Sequence, residues 1–136
     1  MAYNRSTVII WAHTGISRRV VQSGHILTVE NMLRDNPNLY YDLSWVVFDD
    51  YICRDAETLQ AWVELLMKYP DRFMIGSDKV GHWEGYEGEI WKYYPLLDLL
   101  DEETLEMVTR TNILRLIHVN PETMRRETET ETGNAA

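Results

Sequence analysis

Three short apolar runs, each followed by a longer segment with helical spacing, dominate the hydrophobic pattern of the chain. The runs cover residues 7–12, 39–44 and 72–76, and they are rich in β-branched and aromatic residues. The first run is continuous and apolar, which is typical of strands buried on both faces of a parallel sheet. Their starts lie a little over 30 residues apart, close to the repeat of a βαβ unit. The pattern therefore predicts a parallel α/β fold.

The segment after the first run predicts a helix that starts around Thr28. Its apolar residues at helical spacing are Val29, Met32 and Leu33. The helix must end near Asn36, because Pro37 disfavours helical backbone in the residue before it. A first strand–helix unit is thus predicted for residues 7–36.

The segment after the second run predicts a longer helix, with Asp55 as its N-cap. An apolar stripe supports it, made of Leu59, Trp62, Val63, Leu66 and Met67. After the third run, a glycine-rich loop covers residues 79–89. Helical spacing then resumes near Ile90, and Pro95 lies near a helix start or at a kink. Asp101 is predicted to cap a further helix, and Asn112 opens a last short segment. The prediction is about three parallel strand–helix units plus C-terminal helices.

Composition and charge narrow the classes of function. The 136 residues carry 22 acidic and 13 basic side chains, for a formal charge of −9, which does not favour binding to nucleic acid or to an anionic membrane.

Residues 1–118 are expected to form one domain, and the Glu- and Thr-rich residues 119–136 are expected to form a disordered acidic tail. The single cysteine, Cys53, fits a reducing compartment. With no apolar segment suited to a signal peptide or a membrane helix, we expect a cytoplasmic protein.

Polar side chains lie at the carboxyl ends of the three predicted strands. They are His13, then Asp42 with Ser44, then Ser77 with Asp78. Parallel α/β folds bind their ligands at the carboxyl ends of strands, so these groups could share a ligand, a metal ion or a proton. Each also has a structural alternative. His13 could hydrogen-bond to nearby backbone, Asp42 could pair with a neighbouring loop, and Asp78 could serve as a turn or cap residue.

Four motifs in order resemble a known enzyme family. They are an apolar strand ending in His-Thr-Gly at residues 13–15, Pro-Asn-Leu-Tyr-Tyr-Asp-Leu-Ser at 37–44, Asp-Arg-Phe-Met-Ile-Gly-Ser-Asp at 71–78, and Thr-Asn-Ile-Leu-Arg-Leu at 111–116. This series resembles the last third of the amidohydrolase superfamily. It is most similar to the amidohydrolase-related branch that includes aminocarboxymuconate semialdehyde decarboxylase. The resemblance covers about residues 7–118.

The resemblance implies a partial (β/α)8 TIM barrel in which the three strands correspond to barrel strands six, seven and eight. Asp78 would match the strand-eight aspartate that binds a divalent metal, most often zinc, or its water. His13 would match the strand-six histidine, which assists proton transfer or is itself a metal ligand. His82 and Trp83 lie in a loop that borders a small-molecule substrate in the family. These implied roles make His13 and Asp78 the candidate catalytic and metal-binding residues.

The departures from the family are equally informative. The His-x-His pair of the family's first strand and its first five strands have no counterpart in the chain. A catalytic zinc site uses about three protein ligands, and His13 and Asp78 supply two at most. We therefore expect little or no metal binding by this chain alone, and completion by a missing N-terminal barrel portion or by a homo-oligomer.

Two alternatives remain open from the sequence. One is a non-catalytic α/β protein, derived from barrel units, that oligomerises or binds a partner. The other is a small flavodoxin-like binding domain, although residues 13–17 carry only one glycine where a phosphate loop would need several. Other chemically prominent residues are predicted to be structural. These are His25, His118 and the aromatic group of Trp62, Trp91, Tyr93 and Tyr94.

Overall fold

Three short parallel strands form the centre of the molecule in the computed structural model, which describes residues 7–16, 24–44, 48–81 and 83–118. They are β1 (Ile9–Trp11), β2 (Leu39–Asp42) and β3 (Phe73–Met74), and they lie in the order β1-β2-β3. Both strand pairs are parallel, which confirms the predicted parallel α/β fold. A closed eight-stranded barrel is not formed by the described residues, because their sheet contains only these three strands.

Helices connect the strands and continue after β3. They are α1 (His25–Asp35), α2 (Ala56–Lys68), α3 (Tyr86–Trp91), α4 (Tyr94–Leu97), α5 (Glu102–Glu106) and α6 (Asn112–Leu116). A π-helical turn, Met107–Thr111, joins α5 to α6 without a break in helical backbone. A second π-helical turn, Phe48–Ile52, precedes α2. No helix within the described ranges is both long enough and apolar enough to cross a membrane.

Most helix boundaries follow the signals in the sequence. Helix α1 ends before Asn36, whose side-chain Nδ2 donates to the carbonyl oxygen of Met32 at 2.9 Å. Asp55 caps α2 as predicted, since its carboxylate accepts from the backbone N–H of Thr58 at 2.7 Å. This hydrogen bond, together with those from the side chains of Thr58 and Arg54, lowers the pKa of Asp55 to about 2. The predicted start of α1 at Thr28 was wrong by three residues, because the helix already begins at His25.

One face of the sheet carries an aromatic row. Trp11, Tyr41 and Phe73 occupy matching register positions on the three strands, and neighbouring rings stack with centroids 6.0 Å apart. Trp62 of α2 meets Phe73 edge-on at 6.5 Å. Apolar residues of α1 and α2 complete this core, including Val29, Leu33, Val63 and Leu66. Met67, predicted to belong to the same stripe, is instead exposed.

The opposite face of the sheet is covered only in part. Met74 is buried there, but Val8 and Ile10 at the β1 end are 50% and 43% exposed. The guanidinium of Arg72 lies 5.1 Å from the ring centre of Tyr40 on this face. Parallel sheets normally have both faces covered, so the β1 end is an unusual surface for such a sheet.

The aromatic residues predicted to pack are divided between core and surface. Trp62 and Tyr93 are buried, as expected. Trp91 and Tyr94 are exposed, so the packing prediction was wrong for these two residues. The predicted tail, residues 119–136, lies outside the described residues.

Candidate functional site at the carboxyl ends of the strands

The chain leaves β1 in a left-handed turn. His13, Thr14 and Gly15 have φ angles of 58°, 50° and 74°. This region costs residues with a side chain roughly 1–2 kcal/mol each, so two of these three residues are strained. Thr14 donates its hydroxyl hydrogen to the carbonyl oxygen of His13 at 2.7 Å. A Cβ on Gly15 would come within 3.0 Å of the Trp11 indole, so position 15 requires glycine on grounds of space as well.

This turn directs the side chain of His13 towards the end of β2. Its Nδ1 lies 3.0 Å from the Oγ of Ser44, which is buried. The backbone N–H of Ser44 in turn donates to Oδ1 of Asp42 at 2.5 Å. Because Ser44 occupies Nδ1, a metal or substrate contact by His13 would use Nε2. The structure thus brings together three of the residues predicted to follow the strands.

The end of β3 packs closely against the same group. A Cβ on Gly76 would lie 3.1 Å from Oδ2 of Asp42 and 3.3 Å from the Cβ of Ser44. Glycine at this position therefore allows the ends of β2 and β3 to approach each other. The buried hydroxyl of Tyr93 lies 2.8 Å from the carbonyl oxygens of both Leu43 and Gly76, and it donates its hydrogen between them.

Tyr93 is the residue of this site that the sequence did not identify. It was predicted only as a packing residue, and nothing in the local pattern indicates that its hydroxyl bridges two strand ends. Burial raises the pKa of Tyr93, and the carboxylate of Asp42 adds to the effect. The side chain is therefore a neutral hydrogen-bond donor at physiological pH.

Asp78 lies apart from the His13 group. It is exposed and has left-handed backbone with a φ of 47°. The backbone N–H of Lys79, which follows it, donates to Oγ of Ser77 at 3.2 Å. The carboxylate of Asp78 makes no hydrogen bond or ion pair with any residue that the structure describes, His13 included. The two predicted site residues thus lie at the ends of different strands, with no hydrogen bond or ion pair between them.

The donor set does not form a complete metal site. Among residues 7–16, 24–44, 48–81 and 83–118, no three His, Cys, Asp or Glu side chains come together to hold a metal ion. A catalytic zinc centre needs about three such ligands. His13 and Asp78, the predicted metal residues, therefore do not fit a metal ion without further ligands.

The loop after Asp78 forms a cavity beside the end of β3. The cavity has a volume of about 380 Å³ and is lined by Ser77, Lys79, Gly81, Trp83 and Tyr86. The Trp83 and Tyr86 rings meet edge to face with centroids 5.9 Å apart. Trp83 thus lies where a substrate contact was predicted, and that role stays a prediction. His82, the second predicted substrate residue, lies outside the described residues.

His25 has a structural position. It is the first residue of α1, and its Nε2 donates to the carbonyl oxygen of Thr14 at 2.9 Å. Burial lowers the pKa of His25, although this hydrogen bond partly opposes the shift. His25 therefore ties α1 to the strained turn that carries His13.

Comparison of the chain with known protein families, with characterised proteins and with solved structures finds no match in any of the three. The geometry at the strand ends and the motif series of the sequence are therefore the basis for a functional proposal.

Proposed function

We propose that this chain is the C-terminal part of a metal-dependent hydrolase of the amidohydrolase type. The reaction would be hydrolysis or non-oxidative decarboxylation of a small-molecule substrate. One observation carries the proposal: His13 at the end of β1 is held by Ser44 at the end of β2, with Gly76 of the β3 end against Asp42. Parallel α/β enzymes place their reacting groups at this edge of the sheet.

The strand order supports a barrel origin over the flavodoxin-like alternative. The three strands are sequential, β1-β2-β3, as consecutive units of a (β/α)8 barrel are. A flavodoxin-like sheet begins in the order 2-1-3, with its first strand inside the sheet. In the present sheet β2 occupies the central position.

His13 and Asp78 have distinct roles in the proposed enzyme. His13, oriented through Nδ1 by Ser44, would contact substrate or move a proton through Nε2. Asp78, exposed at the end of β3, would accept a proton from the attacking group. We assign no step to a metal ion, because its remaining ligands would have to come from outside the described residues. The missing barrel portion, or another subunit, would supply them.

The test begins with the coding sequence that adjoins this one. We expect an upstream segment, in the same frame or in a co-purifying chain, that encodes five strand–helix units and a His-x-His pair. The two parts expressed together should retain zinc through dialysis, as measured by elemental mass spectrometry. Asp78→Asn should lower the retained zinc or abolish turnover, whereas Asp98→Asn, at an exposed position after α4, should change neither. The proposal fails if no such segment exists, or if Asp78→Asn leaves both quantities normal.

A second candidate is a non-catalytic protein that associates through its sheet. The observation that favours it is the exposure of Val8 and Ile10 on the partly covered face. Apolar side chains of a parallel sheet are normally buried, so a second copy or a partner would cover them.

Light scattering separates this candidate from the enzyme proposal. If the sheet face associates, the wild-type chain should be a dimer or larger, and Ile10→Lys should be a monomer. Leu27→Lys, at a 62% exposed position of α1, is the matched control and should leave the mass unchanged. A wild-type monomer that binds no apolar dye would contradict the candidate.

A further inference from the structure

The cavity beyond β3 contains the elements of a site for a small organic anion. Its described lining provides one cation, the hydroxyls of Ser77 and Tyr86, and two aromatic rings, and no carboxylate. The volume of about 380 Å³ lies within the range of roughly 300 to 1,000 Å³ that small-molecule sites occupy. It opens at the carboxyl end of a parallel strand, where α/β proteins bind their ligands.

Lys79 is the cation of this cavity, and its charge is only weakly compensated. The nearest carboxylate belongs to Glu89, whose Oε1 lies 3.9 Å from the Lys79 Nζ. Glu89 pairs more closely with Lys92, at 2.9 Å through its other oxygen. The Lys79 side chain is 30% exposed and lines the cavity. A long ion pair of this kind competes poorly with a ligand carboxylate.

Two further features place the ammonium within reach of a ligand. The backbone at Gly85 is left-handed, with a φ of 77°, and a Cβ there would lie 3.5 Å from the Lys79 Nζ, an ordinary contact distance. The ammonium therefore lies beside the backbone of Gly85, with no side chain at that position to cover it. Ser77 Oγ accepts the backbone N–H of Lys79, so the hydroxyl hydrogen of Ser77 can be donated to a ligand.

An aromatic surface forms the opposite part of the lining. Trp83 is 86% exposed, a high value for a large ring that contacts another ring, and Tyr86 meets it at an interplanar angle of 64°. An exposed indole face of this kind stacks well on a flat apolar group. The combination of a flat surface and a single cation selects for a ligand with one anionic end.

We propose that this cavity binds a small monocarboxylate with a flat apolar body, its carboxylate on Lys79 and Ser77 and its body on Trp83. That this ligand is also the substrate rests on the proposed function, in which Asp78, between Ser77 and Lys79, takes part in the reaction. The binding of the ligand does not depend on the proposed function.

The experiment uses benzoate as the probe and isothermal titration calorimetry on the full chain. Benzoate should bind saturably. Benzyl alcohol, which lacks the charge, and benzylamine, which reverses it, should bind at least about ten-fold more weakly, because charge-assisted hydrogen bonds to Lys79 are lost or opposed. Equal binding of benzyl alcohol, tighter binding of benzylamine, or no saturable binding of benzoate would overturn the proposal.

Matched variants locate the binding. Lys79→Met should weaken benzoate binding about ten-fold or more, and Trp83→Leu should weaken it several-fold. Two matched controls change exposed residues elsewhere: Lys68→Met on α2 and Trp91→Leu on α3. Both variants should bind benzoate with an affinity within about two-fold of that of the wild type. Unchanged binding in Lys79→Met would refute the site.

The two proposals fail separately. If the chain binds benzoate but no upstream His-x-His segment exists, the ligand site is supported and the enzyme proposal is refuted. If the completed enzyme retains zinc but Lys79→Met leaves benzoate binding unchanged, the enzyme proposal is supported and the ligand site is refuted.

Discussion

The hydroxyl of Tyr93 lies 2.8 Å from the carbonyl oxygen of Gly76 and also 2.8 Å from that of Leu43, which precedes the tyrosine by fifty residues. One buried side chain from the segment between α3 and α4 therefore holds the ends of β2 and β3 together. These are the strand ends that carry Asp42 and lead to Asp78. The stability of the candidate site and of the fold are linked through this tyrosine.

Tyr93→Phe should destabilise the protein by about 1–3 kcal/mol, because one buried and one partly buried carbonyl oxygen lose their donor while the ring packing is kept. Urea unfolding followed by circular dichroism measures the change. Tyr94→Phe is the control. Tyr94 is 54% exposed, so the free energy of unfolding of Tyr94→Phe should stay within about 0.5 kcal/mol of that of the wild type. Equal stability of the two variants would show that the bridge does not contribute.

Asn112→Ala should cost about 2–4 kcal/mol. The buried Nδ2 of Asn112 donates to the carbonyl oxygens of Pro70 and Phe73, both at 2.8 Å, and so ties α6 to the start of β3. Truncation leaves both carbonyls unpaired and opens a cavity. Asn31→Ala, at an exposed position of α1, should cost less than about 0.5 kcal/mol in the same urea titration. A small effect at Asn112 would contradict the structural role.

Arg72→Lys should lower stability even though it keeps the charge. The Arg72 Nε donates to the carbonyl oxygen of Leu39 at 2.8 Å, and Nη2 donates to that of Asn36 at 2.6 Å. A lysine cannot reproduce this fork or the stacking on Tyr40, so we expect a loss of about 1–3 kcal/mol. Arg34→Lys, on the exposed side of α1, should be nearly neutral by the same measurement. Wild-type stability in Arg72→Lys would exclude a role for the fork.

His25 should make the stability of the protein fall in mild acid. Burial lowers the pKa of folded His25 below that of an unfolded histidine, about 6.5. The unfolded chain therefore binds more protons below that pH, so the contribution of neutral His25 is complete above about pH 6.5 and is lost as the pH falls further.

The measurement compares urea midpoints at about pH 7.5 and about pH 5.5. The midpoint should drop in wild type, and the drop should be smaller in His25→Gln, which does not titrate. His118→Gln, at an exposed position, should retain the wild-type drop. An equal drop in His25→Gln would assign the pH dependence to other groups.

Local patterns in the sequence determined much of the secondary structure. Asp55 and Asp101 were predicted as N-caps, and each accepts from the backbone N–H three residues later. Pro37 was predicted to end the first helix, and α1 ends before Asn36. These features depend on neighbours within about four residues, which is why periodicity and capping rules find them.

The parallel sheet was also predictable, but its extent was not. The third apolar run covers residues 72–76, whereas β3 pairs only over Phe73–Met74. Beyond Met74 the strand ladder stops. Ile75 donates its N–H to the carbonyl oxygen of Val108, and Gly76 packs against Asp42 and accepts a hydrogen bond from the Tyr93 hydroxyl. The contacts with Asp42 and Val108 join residues more than thirty positions apart, and the contact with Tyr93 joins residues 17 positions apart, which a local pattern does not record.

The chain by itself indicated that His13, Asp42 with Ser44, and Asp78 would lie at the carboxyl ends of three parallel strands. Only the tertiary structure decided which of them meet. The left-handed turn at His13 directs its ring to Ser44, and the missing side chain of Gly76 lets two strand ends close around Asp42, while Asp78 remains exposed. Strand ends follow from apolar runs, which are local. Side-chain contacts between strands follow from backbone turns and packing across the sheet, which are set only when distant segments fold together.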